Sequence, residues 1–107
     1  MRPGPFTATA GDLRPTRAGA IPVLRALSDP TRLGLLRCLM DGERCVGDLT
    51  RILGLRQPRI SHHLAILRRL ELVTHRRAGK KIFYRLHARW HGDASLDLGG
   101  IRLELRR

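Results

Sequence analysis

Apolar residues recur at intervals of three and four between residues 21 and 70 and then give way to alternation, a change of period that separates a helical part from a strand part. Ile21, Leu24 and Leu27 predict a first helix over residues 18–27, with Pro22 confined to its start. The run Ser28-Asp29-Pro30-Thr31-Arg32 is a helix start: Asp29 or Ser28 can accept the free backbone N–H groups, and Pro30 suits the first turn. The second helix is expected over residues 30–40, burying Leu33, Leu36, Cys38, Leu39 and Met40 and ending at Asp41-Gly42. A third, over residues 45–53, would turn Val46, Leu49, Ile52 and Leu53 inward, with Gly54 as its left-handed C-terminal residue. After the turn Gly54-Leu55-Arg56, a fourth begins at Gln57 or Pro58 and runs through Ile60, Leu64, Leu67 and Leu70. Two short helices joined by a glycine-containing turn make a helix-turn-helix unit.

From Leu72 the chain reads as two β-compatible runs, residues 72–77 and 80–86, around Ala78-Gly79. A hairpin directly after the reading helix is a wing, so the fold class is mainly α with a β-hairpin wing, a winged helix-turn-helix over residues 18–90. Residues 1–17 mix Pro3, Gly4, Pro5, Gly11 and Pro15 with small polar residues and no period, and are expected to be a flexible arm. In residues 91–107, Leu96, Leu98, Ile101, Leu103 and Leu105 alternate around Gly99-Gly100, which predicts a strand or small hairpin in the tail rather than a helix.

Charge decides the class of partner. The 107 residues carry 21 Lys plus Arg against 9 Asp plus Glu, a net charge of +12, which favours a polyanion. Residues 51–89 hold eleven of those basic residues and one acid, Glu71, whereas residues 1–50 hold seven against five. The partner-facing surface is therefore the helix-turn-helix and wing. Two cysteines, Cys38 and Cys45, are too few for a disulfide framework, and neither a signal peptide nor a membrane-crossing run is legible, so a cytoplasmic protein with reduced thiols is expected. No Gly-rich phosphate loop, HExxH motif or nucleophile-base spacing supports an enzyme.

Recognition helices contact bases through their N-terminal residues, which here are Gln57, Arg59, Ser61 and His62, with His63 behind them. Gln pairs with adenine and Arg with guanine in the major groove, and Ser and His donate to bases or phosphates. At the wing tip, Arg76, Arg77, Lys80 and Lys81 match backbone or minor-groove contacts, Arg56 and Thr50 are further phosphate candidates, and Arg68, one of the basic pair at 68 and 69 turned away from the apolar face, completes the set. Four aromatic residues are too few for single-strand recognition by stacking, which favours double-stranded DNA over RNA. A purely architectural DNA-binding protein is the rival reading.

These residues resemble the ArsR/SmtB family of metal-sensing transcriptional regulators. The resemblance rests on residues 27–32 leading into an apolar helix, on Glu43-Arg44-Cys45-Val46-Gly47-Asp48-Leu49, on residues 57–67, on Leu70-Glu71-Leu72-Val73 and on residues 76–86, and it covers about residues 20–87. It implies a homodimeric regulator, a repressor by default, that binds a palindromic operator and leaves it when an inducer binds. Members usually dimerise through the first helix and a long last one. This sequence departs there, because Gly92, Gly99 and Gly100 disfavour a long terminal helix; the tail is a candidate dimer contact.

The same resemblance implies metal chemistry at Cys45, where many members begin a Cys-Val-Cys stretch. Gly47 replaces the second cysteine, which argues against a three-thiolate arsenic site, and Cys38 sits among apolar neighbours as a small hydrophobe. A second candidate is His87 and His91, four apart with Asp93 beyond, a set suited to nickel or zinc. The alternative is a regulator without metal, answering oxidation of Cys45 or a protein co-regulator.

Overall fold

The computed structural model describes residues 19–107, and the arm read over residues 1–17 lies outside the described residues. Among the described residues four helices precede the wing, with a two-residue strand between the second and third: α1 (Ala20–Leu27), α2 (Pro30–Leu39), β1 (Arg44–Cys45), α3 (Val46–Leu53) and α4 (Gln57–Arg69). The wing follows as β2 (Val73–Ala78) and β3 (Lys81–Leu86), and the tail as β4 (Ser95–Asp97) and β5 (Arg102–Glu104).

The capping chemistry of α2 is local. The Asp29 carboxylate accepts from the Thr31 N–H at 2.8 Å and the Arg32 N–H at 3.1 Å, and Pro30 fills the first helical position, where no N–H is needed. Inward lie Leu35, Leu36 and Leu39, while Leu33, Cys38 and Met40 are half-buried. Gly34 marks the close approach of α2 to α3: a Cβ there would stand 3.3 Å from Leu53 Cδ2. α3 stops at Gly54, which takes φ 66°, ψ 31° and donates its N–H to the Thr50 carbonyl at 2.8 Å.

Three expectations need correction. In α1, Val23 and Ala26 are buried and Ile21 is 64% exposed. At about 100° per residue Val23, Leu24, Ala26 and Leu27 share one arc and Ile21 falls outside it. Ile52 of α3 is likewise exposed, at 49%. Residues 44–45 form a strand rather than opening α3: Arg44 pairs with Tyr84 and Cys45 with Phe83, giving an antiparallel sheet in the order β1-β3-β2.

α4 ends in a Schellman arrangement, with the Leu72 N–H bonded to the Leu67 carbonyl at 2.9 Å and the Glu71 N–H to the Arg68 carbonyl at 3.0 Å. Glu71 takes φ 57°, where glycine is the usual occupant. The chain then enters the wing, in which Val73 pairs with Leu86 and Ala78 with Lys81.

The tail shares the main core. β4 and β5 pair antiparallel, Leu96 opposite Leu103, and Leu96, Leu98 and Leu105 join Trp90 in the cluster that contains Leu36, Leu49, Ile60 and Leu64. Trp90 donates its indole N–H to the Leu72 carbonyl at 2.9 Å, which ties the segment after the wing to the end of α4.

Candidate nucleic-acid interface

α4 is buried along one side, through Ile60, His63, Leu64 and Leu67, and exposes Gln57, Arg59, Ser61 and His62 in its first turns. Arg56 is the exposed residue at its N-cap. Across from this end stands the wing. Gln57, Thr50, Arg51, Lys80 and Lys81 line one groove of about 440 Å³ between the start of α3 and the wing turn. The backbone thus brings together candidates that lie more than twenty residues apart in the chain.

Several basic residues are occupied within the protein. Arg76 sits in the middle of β2, where its Nε and Nη2 donate to Glu43 Oε2 and Oε1, each at 2.8 Å, and its guanidinium lies 5.0 Å from the Phe83 ring centroid. The hydrogen bond from Arg76 holds the Glu43 carboxyl below the usual carboxylate range. Arg44 donates to the Cys38 carbonyl at 2.9 Å, and Arg89 to the Leu70 carbonyl at 2.8 Å. Arg51 pairs with Asp48 at 2.6 Å, and the Thr50 hydroxyl donates to the Gly47 carbonyl at 2.7 Å. Arg68 lies against the His75 ring, 3.2 Å from Nε2, well behind the first turns of α4. At the wing, Arg77, Lys80 and Lys81 are exposed, and Arg76, also exposed, is engaged with Glu43.

His63 does not join the exposed set. It is 8% exposed, and its Nδ1 lies 3.1 Å from Nη1 of Arg32. Its spacing was a legible signal, since residue 63 stands three after Ile60 and four before Leu67. Arg32, whose Nε also donates to the Ala26 carbonyl at 2.7 Å, is a residue that sequence reasoning left as part of a helix start.

The candidate metal ligands are dispersed over separate partners. His87 Nε2 stands 3.6 Å from Glu71 Oε2, and its Nδ1 accepts the Arg89 backbone N–H at 2.9 Å. His91 Nε2 is 3.1 Å from Asp97 Oδ2. The Asp93 carboxylate accepts from the Ser95 hydroxyl at 2.6 Å and from Arg102 at 3.1 Å, and the Ser95 bond holds it below the ordinary range. Cys45 is buried at the N-cap of α3, and burial pushes the Cys38 thiol up. Among the described residues, no group of three or more His, Cys, Asp or Glu side chains is placed to hold a metal ion. No helix among them is long and apolar enough to cross a membrane.

Comparison with known proteins places this geometry. Residues 29–75 match the family described as bacterial regulatory protein, arsR family. The chain is 40% identical over 65 residues to the transcriptional repressor SdpR of Bacillus subtilis strain 168, an alignment covering 61% of this chain and 72% of SdpR. It is 46% identical over 67 residues to the arsenical resistance operon repressor of Escherichia coli strain K12, covering 62% of this chain but only 57% of that protein. Among solved structures, the homodimeric winged helix-turn-helix DNA-binding domain of a possible ArsR-family regulator from Mycobacterium bovis superposes with a TM-score of 0.58 at 34% identity, covering 61% of this chain and 60% of that one.

Proposed function

This chain belongs to the ArsR family of bacterial regulatory proteins, and from that premise we propose that it is a cytoplasmic, homodimeric transcriptional repressor reading a palindromic operator in double-stranded DNA. The observation that carries the reading is the division of α4: a fully buried row on one side, and Gln57, Arg59, Ser61 and His62 exposed on the other, at the helix end that faces the wing. In this reading those four side chains enter the major groove. Arg77, Lys80 and Lys81 then hold the backbone or the minor groove beside it, with Arg56 on a phosphate. Arg76 and His63 are left out because Glu43 and Arg32 engage them. Support for a second copy comes from the homodimeric M. bovis domain and from Ile21, an exposed apolar residue on α1.

Sequence selection from a random duplex pool tests the reading. A regulator enriches one palindromic site and binds it far more tightly than random duplex, by about a thousandfold or more at physiological salt. An architectural protein binds both alike, with the same steep dependence on salt. That second outcome overturns the repressor.

The signal that releases DNA is a separate question. A nickel or zinc response at the tail requires His87, His91 and Asp93 to leave Glu71, Asp97 and Ser95 and converge, and the donor set as arranged does not fit an ion. Regulation without metal, through Cys45 or a co-regulator, is the alternative reading. Calorimetric titration with each ion decides: stoichiometric binding lost in His87→Ala or His91→Ala restores the metal sensor, and heats of dilution alone remove it.

A further inference from the structure

Resting on the DNA-binding reading above, we propose that Arg32 is a positioning residue for DNA recognition: its guanidinium joins the C-terminal end of α1 to the inner face of α4, so that one side chain sets how the reading helix is seated.

The geometry is a two-point link. Nε of Arg32 donates to the Ala26 carbonyl in the last turn of α1 at 2.7 Å, while Nη1 lies 3.1 Å from Nδ1 of His63 on α4. A guanidinium has only donors, so Nδ1 must be the acceptor and the ring proton resides on Nε2. The base of Arg32 is itself fixed, because its backbone N–H bonds the Asp29 carboxylate at 3.1 Å. Three helices therefore meet at one side chain.

Little else links α1 to α4 at this place. A groove of about 270 Å³ runs along the seam, with Pro22 and Arg25 on one side and Ile66 and Arg69 on the other, and Arg32 in its lining. Arg68 beside His75 and the Leu72 N–H on the Leu67 carbonyl hold the far end of α4, so losing the guanidinium leaves the first turns to the apolar row, which fixes depth better than rotation. Rotation is what aims Gln57, Arg59, Ser61 and His62, and His62 is the immediate neighbour of the anchored ring, 5.4 Å away between centroids.

The ring is suited to the part. Burial lowers His63 below the ordinary histidine value; Asp29 opposes that, and Arg32, His62 and Arg59 reinforce it. The neutral form, the only one able to accept from Arg32, is therefore the form present at pH 7. On the α1 side the Ala26 carbonyl faces the same guanidinium and does not titrate.

The test uses the full chain, a duplex selected by that chain from a random pool, and random duplex. Arg32→Lys keeps the charge but not the fork, Arg32→Gln removes the charge, and His63→Phe keeps a ring without the acceptor. Each is expected to weaken the selected duplex by about tenfold, as for one lost charge-assisted bond, and to leave random duplex unchanged, with no further loss in the double variant. Equal losses on both duplexes make Arg32 a phosphate contact, and no loss on either makes the link idle; both overturn the proposal. A wild-type chain that selects no duplex defeats the DNA-binding reading instead. The link is still tested without DNA, by nitrogen-proton correlation of the His63 ring: a proton on Nε2 in the wild type and a shifted tautomer ratio in Arg32→Lys are expected, and a proton on Nδ1 in the wild type overturns it. Should Arg32→Gln fail to fold, as judged by thermal melting, Arg32→Lys and His63→Phe decide.

Discussion

Arg76 and Glu43 face each other in a two-point bond across 33 residues of sequence, and this pair fastens the wing to the loop between α2 and β1. An arginine with the charge and exposure of a DNA contact thus also serves the frame.

The pair predicts a pH dependence. Arg76 lowers the folded-state pKa of Glu43, so the carboxylate stabilises the folded chain above its unfolded value, near 4.3, and that contribution is lost as pH falls through the depressed folded value. The melting temperature of the wild type is expected to exceed that of Glu43→Gln at pH 7. The gap should narrow below about pH 4. A gap of constant size from neutral to acid pH would separate the stability of the wing from this carboxylate.

Arg59 and Lys80 are expected to fail differently. Removing a bidentate contact to guanine by Arg59→Ala should cost about 1–3 kcal/mol of discrimination at one base pair, while Lys80→Ala should weaken all sequences alike and reduce the salt slope by about one. Anisotropy titrations on single-substituted operators over a range of salt would separate them. Uniform loss in Arg59→Ala would move that residue to the phosphate class.

Glu71 occupies a left-handed position, φ 57°, at the end of α4. Glycine there avoids the clash of Cβ with the backbone, so Glu71→Gly is expected to stabilise the chain by about 1 kcal/mol, less what the loose contact to His87 at 3.6 Å supplies. Denaturant midpoints measure it. Destabilisation would mean that the His87 contact outweighs the backbone strain.

Much of the helical frame was legible because its signals are local. Asp29 and Pro30 start α2, Gly54 ends α3, and two β-compatible runs around Ala78-Gly79 mark the wing, each needing only neighbours in sequence. What was not legible depends on distant partners. β1 has two residues and exists only because β3 supplies its bonds. The phase of α1 is chosen by the helix it packs on, since two turns of apolar residues allow more than one face. Among the candidate DNA contacts, the exposed first turns of α4 follow from its buried row, whereas the engagement of Arg76 and Arg32 requires the fold.

Trp90 provides the sharpest check on the tail. Its ring is buried beside Leu96, Leu98 and Leu105, and its N–H is bonded to Leu72, so the segment after the wing and the end of α4 share one core. Trp90→Ala is expected to cost about 3–5 kcal/mol and to unfold the chain in a single transition at lower denaturant. Trp90→Phe keeps most of the apolar contact and should cost less, because the Leu72 carbonyl still accepts the His87 N–H at 3.1 Å. Two separate transitions in the wild type would instead make the tail an independent unit, and the loss in Trp90→Ala would then be confined to the weaker of the two.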